Sequence, residues 1–133
     1  MINLHQLKAG DIVLAKFEEQ LSEGKVLGLD IPANQACVLN QADQENWYTP
    51  EDLFPIPLTE EQLVKLKFKK TEEPPVNGNG QAWIRGPFTV VLQDGADPHT
   101  VLHYRDETRN IAGSLMVHEL QNHYQGMTLF HLE

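Results

Sequence analysis

Five short apolar runs follow one another at about ten-residue spacing in the first 57 residues, and that spacing limits the fold more than any other feature. They are Ile12 to Phe17, Lys25 to Leu29, Ala36 to Leu39, Asn46 to Thr49 and Leu53 to Ile56. None is long enough for an amphipathic helix, and branched residues dominate several of them, so each reads as a strand. Turn-forming residues separate them: Gly10-Asp11, Ser22-Glu23-Gly24, the stretch from Ile31 to Gln35 with Pro32 and Asn34, and Pro50-Glu51-Asp52. Short strands at this interval predict a small β-barrel.

Finer features give that barrel a model. Leu7-x-x-Gly10-Asp11 leads into a long first strand, and Gly24-x-Val26-x-x-Leu29 marks the second. Trp47 sits on the strand before a short turn and a closing strand. In this order residues 1–57 resemble an SH3-like small β-barrel. The chain changes character at Pro55-Ile56-Pro57. Thr59 is placed to cap a short helix, with Gln62 three residues on and Leu63 and Leu66 on one face. Lys67 to Thr71 alternates as a strand, and Glu72 to Gly80 reads as a loop. Gln81 to Arg85 and Phe88 to Gln93 are strands, with a bend or bulge expected at Gly86-Pro87. Thr100 to Arg105 and a short Asn110 to Ala112 complete an antiparallel sheet of three to four strands. A last helix runs from about Ser114 to Gln125 or Thr128, with Val117, Leu120, Tyr124 and Met127 as its apolar stripe. The fold class is α+β: an SH3-like barrel over 1–57, then an α+β part over 58–133 packed on it. The connection Phe54 to Leu58 is apolar and holds two prolines, so the two parts are expected to share a core and to unfold together.

Two stretches resemble a known pattern. Pro55-Ile56-Pro57-Leu58-Thr59-Glu60-Glu61-Gln62-Leu63-Val64-Lys65-Leu66-Lys67-Phe68 is similar to the PIPLTEEWLLKFGF segment of a family of short uncharacterised proteins of Bacteroidota and their phages. Val117-His118-Glu119-Leu120-Gln121-Asn122-His123-Tyr124 is similar to their VHQLQNLY segment. Lys67 stands where that pattern has glycine, and Glu119 where it has glutamine. The resemblance implies an intracellular protein whose second part is helix, sheet and helix. It implies no activity and no site residues.

The chain has 133 residues, room for one domain or two small modules sharing a core. Cys37 is its single cysteine, so no intramolecular disulfide can form, and its apolar setting reads as packing. The first residues show no basic, apolar leader, and no run approaches the roughly 18 apolar residues of a membrane span. A cytoplasmic location and no membrane partner are expected. The net charge of −9 repels a phosphate backbone unless bases cluster. The one cluster is Lys65, Lys67, Lys69 and Lys70, diluted by Glu60, Glu61, Glu72 and Glu73. Trp47, Tyr48 and Trp83 are the aromatics that could stack on bases.

Several motifs suggest chemistry and fail on spacing. His118-Glu119-Leu120-Gln121-Asn122-His123 looks like a zinc-protease helix, which needs histidines at i and i+4. Here the second falls at i+5, about 140° round the helix, and one helix cannot aim both at one ion. His99 and His103 lie four apart on a strand, about 13 Å from each other at 3.3 Å per residue. Asp94-Gly95-Ala96-Asp97 lacks the further oxygen ligands of a calcium loop. Ser22 and Ser114, the only serines, lie in no nucleophile elbow, and no phosphate-binding glycine loop is present. No catalytic residue, metal or cofactor is implied. His118, Gln121, Asn122 and Gln125 share one side of the last helix and could line a polar groove, or simply be solvated or satisfy backbone groups. The sequence thus reads first as a non-enzymatic intracellular module that binds another protein. The alternatives are a small-ligand-binding protein or enzyme using the groove at His118, and a nucleic-acid-binding accessory protein. A concave pocket holding His118 and a second titratable side chain is the observation that would favour the ligand-binding alternative.

Overall fold

The computed structural model describes residues 2–71, 81–93, 99–113 and 115–132. They form two units, each with its own antiparallel sheet. One joins Met1–Ile56 to Met116–Glu133; the other is Pro57–Leu115. The sequence reading grouped 58–133 together, whereas the structure groups the last helix with the N-terminal strands.

In the first unit a 3-10 turn (Leu4–Gln6) precedes β1 (Ile12–Phe17), β2 (Gln20–Asp30), β3 (Gln35–Asn40) and β4 (Glu45–Tyr48). A second 3-10 turn (Pro50–Asp52) leads to β5 (Leu53–Phe54), and α2 (Val117–Thr128) closes the unit. The strand order is β4-β3-β2-β1-β5, and no ladder among the described residues joins β4 to β5, so the sheet is not a closed barrel. Val13, Ala15, Val26, Ala36, Val38, Tyr48 and Leu53 form a core with Ile2, Leu4 and Leu7 of the N-terminal segment. The strands end where the backbone must turn. Asn40 Oδ1 accepts from the N–H groups of Ala42 and Gln44, an Asx turn between β3 and β4.

One turn differs from its sequence reading. The chain reverses between β1 and β2 at Glu18-Glu19, not at Ser22-Glu23-Gly24, which lies inside β2. Phe17 pairs with Gln20, and both glutamates have positive φ, 49° and 66°. Such two-residue turns favour Asn-Gly, so Glu-Glu carries no signal for one. Gly24 is small for another reason. A Cβ there would run into Val38 Cγ1 on the neighbouring strand.

The second unit holds α1 (Glu60–Lys65) and a meander of β6 (Lys69–Lys70), β7 (Gln81–Arg85), β8 (Phe88–Gln93), β9 (His99–Tyr104) and β10 (Glu107–Ala112), paired in that order. The sheet has five strands rather than three to four, because β6 pairs with β7 and β10 runs the full length of β9. Thr59 Oγ1 accepts from Gln62 N–H to start α1. At its end Phe68 N–H donates to Leu63 O and Lys67 N–H to Val64 O, with Lys67 at φ 69°, a Schellman motif. Leu63, Leu66 and Phe68 are buried, as are Phe88, Val90 and Leu102, and Phe68 meets Phe88 edge-on at 6.2 Å. Gly86-Pro87 is neither bend nor bulge. It is the two-residue turn of the β7–β8 hairpin, with Gly86 at φ 58°, and Arg85 pairs with Phe88. The described residues are therefore mainly β with two α-helices, within the α+β class. No helix among the described residues is long and apolar enough to cross a membrane.

Candidate functional site

The polar side of α2 is spent first on holding the first unit together. Gln121, 4% exposed, works like a short piece of strand: its Oε1 accepts from Ile12 N–H at 2.7 Å. Its Nε2 donates to Gly10 O and Leu132 O, each at 2.9 Å. Asn122 Nδ2 donates to Gln6 O, Asp11 Oδ2 and His118 O. Two amides thus join the start of β1, the segment before it and the chain end. Asp11 is buried within this joint and also accepts from Lys8 N–H at 3.0 Å. Burial pushes its carboxyl up to about 6, against the Lys8 N–H, the Asn122 amide and the charges of Lys8 and His131, which pull it down.

At the edge of the joint lies an open cleft of about 310 Å³. His5, Gln6 and Lys8 line one side, and His118, Glu119, Asn122 and His123 of α2 line the other. The N-terminal wall is set by Asn3, whose Oδ1 accepts from His5 N–H and starts the 3-10 turn. The helical wall is set by Glu119, whose Oε1 accepts from Met116 N–H and closes the first turn of α2. His118 is 3% exposed, and burial holds its imidazole below the ordinary histidine range, against the opposing pull of Glu119. His118 Nδ1 and Asn122 Oδ1 are buried and have no hydrogen-bond partner among the described residues. They belong to residues one helical turn apart.

Of the four residues singled out from sequence, His118 and Asn122 line the cleft and Gln121 and Gln125 do not. His5, Gln6 and Lys8 gave no signal, because they join α2 only across more than a hundred residues of sequence, as the 116-residue separation of Gln6 and Asn122 illustrates. His123 carried a signal that was read only as a failed zinc motif. It borders the same cleft as His118, yet among the described residues no three His, Cys, Asp or Glu side chains are placed to hold a metal. Among the described residues the cleft is lined by no serine, threonine or cysteine that could act as a nucleophile. Cys37 is elsewhere and buried, and its thiol is pushed up by burial and by the Glu45 carboxylate.

The other candidates take definite places. His103 Nδ1 lies 2.7 Å from Thr108 Oγ1 across the β9–β10 ladder. Trp83 and Tyr48 are buried and offer no stacking face, and only Trp47 is exposed, at 53%. Lys69 and Lys70 are neighbours on β6, so their side chains point to opposite faces of the sheet. Both observations weaken a nucleic-acid platform. Asp94 to Asp97 and Asn77 to Gly80 lie outside the described residues. Compared with family models, with curated proteins and with solved structures, the chain finds no match in any of the three.

Proposed function

We propose that this chain is a non-enzymatic binding protein that receives a small polar ligand in the cleft between the first 3-10 turn and α2. One observation carries the reading: His118 opens on a concave site that also gathers Lys8, His5, His123 and Glu119. A cleft with convergent polar groups and a buried histidine is the usual starting point for a ligand site. Its described lining holds no serine, threonine or cysteine, so catalysis by a hydroxyl or thiol nucleophile finds no residue there. The test is ligand-observed NMR with a mixture of small polar compounds against the wild-type chain and Lys8→Gln/His123→Gln. Some compounds should bind the first and lose the second. Binding to neither, or to both equally, would remove the reading.

A second reading has its own support. The order β4-β3-β2-β1-β5, with a 3-10 turn between β4 and β5, is the order expected of an SH3-like unit. Trp47 stands half-exposed on β4, at the sheet's edge, where a protein partner could pack on it. Kinship with the short Bacteroidota and phage proteins, and an intracellular place of action, belong to the same proposal. The left-handed backbone at Lys67 favours that kinship, since their pattern has glycine there. Pull-down from a native lysate with wild type and Trp47→Ala tests the protein-binding reading. A partner retained equally by both would count against it.

A further inference from the structure

We infer that the open edge of β4 receives an extended, cationic segment of another protein as an added strand; the inference rests on the protein-binding reading above. The sheet of the first unit ends in β4 on one side and β5 on the other. β5 has two residues and offers little to pair with, whereas β4 has four. Asn40 N–H donates to Gln44 O where the β3–β4 hairpin opens. Bonded and non-bonded pairs alternate along an antiparallel ladder, so Val38–Asn46 and Ala36–Tyr48 are the next bonded pairs. The N–H and C=O groups of Glu45 and Trp47 therefore point away from β3. No ladder among the described residues takes them up, and an antiparallel strand laid along β4 would.

The side chains of the same two residues give the edge a preference. Glu45 and Trp47 stand two apart and share one face of the sheet. It is the face away from the core, since Val38 and Tyr48 of these two strands point into the core. Open edges are normally guarded by a lysine, a proline or a bulge. β4 has none of the three, and it exposes a tryptophan. Glu45 is its one charge, and a charge bars an edge only to partners of its own sign.

Charge then selects the occupant. From Val26 to Ile56 the chain holds five Asp and Glu and no Lys, Arg or His. Asp43 precedes β4, and Glu51 and Asp52 lie in the 3-10 turn after it, all three exposed. The first unit as a whole has eleven acids against three lysines, −8 with histidine neutral. A second copy laying β4 against β4 antiparallel would bring the Asp43 end of each to the Glu51-Asp52 end of the other, which repels. A strand with Lys or Arg at alternate positions meets the opposite situation. One cation faces Glu45, and the next on that face lies against the Trp47 ring.

The experiment is a ¹H–¹⁵N NMR titration of the full chain with a peptide alternating Arg and Val, its fully N-methylated copy, and a peptide alternating Glu and Val. The Arg-Val peptide should bind saturably and slow hydrogen exchange of the Glu45 and Trp47 amides. The amides of Asn46 and Tyr48, already bonded to β3, should change less. Trp47→Ala and Glu45→Lys should each weaken binding about tenfold. Equal binding of the N-methylated copy, or binding that leaves the Glu45 and Trp47 amides unprotected, would overturn strand addition. Equal binding of the Glu-Val peptide would overturn the cationic class. Sedimentation showing a dimer with both amides protected before any peptide is added would give the edge to a second copy and overturn the inference. If no peptide binds while the lysate pull-down keeps a partner that Trp47→Ala loses, the inference falls and the protein-binding reading stands. If the pull-down fails as well, both fall.

Discussion

Seven described residues other than glycine have a left-handed backbone, and two of them end helices. Lys67 follows α1 at φ 69°, and Leu129 follows α2 at φ 67°, with its N–H donating to Gln125 O. A side chain in this conformation costs about 1–2 kcal/mol that glycine avoids. Neither side chain repays it by burial: Leu129 is 85% exposed and Lys67 is exposed too. Lys67→Gly and Leu129→Gly should each raise stability by up to about 1 kcal/mol in urea unfolding, because glycine's extra freedom in the unfolded chain takes back part of the gain. A loss in either would mean that its side chain makes a contact worth more than the strain.

Asp11 carries a second consequence at this scale. Its carboxyl is raised from 3.8 to about 6 by burial. A raised acid holds its proton more tightly folded than unfolded. The penalty for ionising it in the fold is therefore fully present above about pH 6 and fades as the pH falls towards 4. Two pH units correspond to about 3 kcal/mol at most. Other groups titrate in the same window. His118, lowered by burial, works in the opposite direction, so wild-type stability alone will not isolate Asp11. The difference between Asp11→Asn and wild type will. The variant should lose up to about 3 kcal/mol relative to wild type between pH 7 and pH 4. A constant difference across that range would mean that the carboxyl titrates normally.

At the scale of elements, α2 is joined to β1 by an amide. The three hydrogen bonds of Gln121 satisfy Ile12 N–H, Gly10 O and Leu132 O. Gln121→Leu keeps the volume but strands those groups in a buried place, and should cost on the order of 3 kcal/mol in chemical unfolding. A loss under about 0.5 kcal/mol would mean that water replaces the amide at no cost. Periodicity made α2, α1 and most strands legible, because each repeats its burial within a few residues. Of the stripe, Val117, Leu120 and Met127 are buried as their spacing implies, and Tyr124 is only half-buried. Periodicity could not say that Gln121 and His118 are buried as deeply as those three. A polar residue looks solvated in a pattern unless its partner is known, and two of the three partners of Gln121 lie more than a hundred residues away. The Glu18-Glu19 turn was invisible for the converse reason: neither residue favours the backbone it adopts.

For the whole molecule, the decisive feature is that the first unit is made from both ends of the chain. Ile56 is buried, and its carbonyl accepts from Val117 N–H at 2.8 Å, so the strand part and the helix part meet where the chain departs and returns. A chain ending at Pro57 would lack Gln121, Asn122 and the start of α2. It should show no dispersed amide spectrum, and a peptide of residues 116–133 added in trans should restore one. A well-dispersed spectrum from residues 1–57 alone would show that α2 is an accessory to the sheet. The expectation of one cooperative transition, drawn from the stiff Phe54 to Leu58 connection, is checked by calorimetry on the full chain. Two separable transitions would replace it with two units unfolding on their own.

The same feature sets an order of events during synthesis. Residues up to Ile56 leave the ribosome with the C-terminal part of their unit still unmade, while Pro57–Leu115 can be complete before α2 exists. At roughly 5–20 residues per second the nascent sheet must wait about 4–15 s for its last segment. Through that interval Ile12 N–H and the buried side of Asp11 lack the partners that α2 will bring. A slowed ribosome in the stretch coding for residues 57–115 would lengthen this exposure, and the nascent chain's need for a chaperone should grow with the delay.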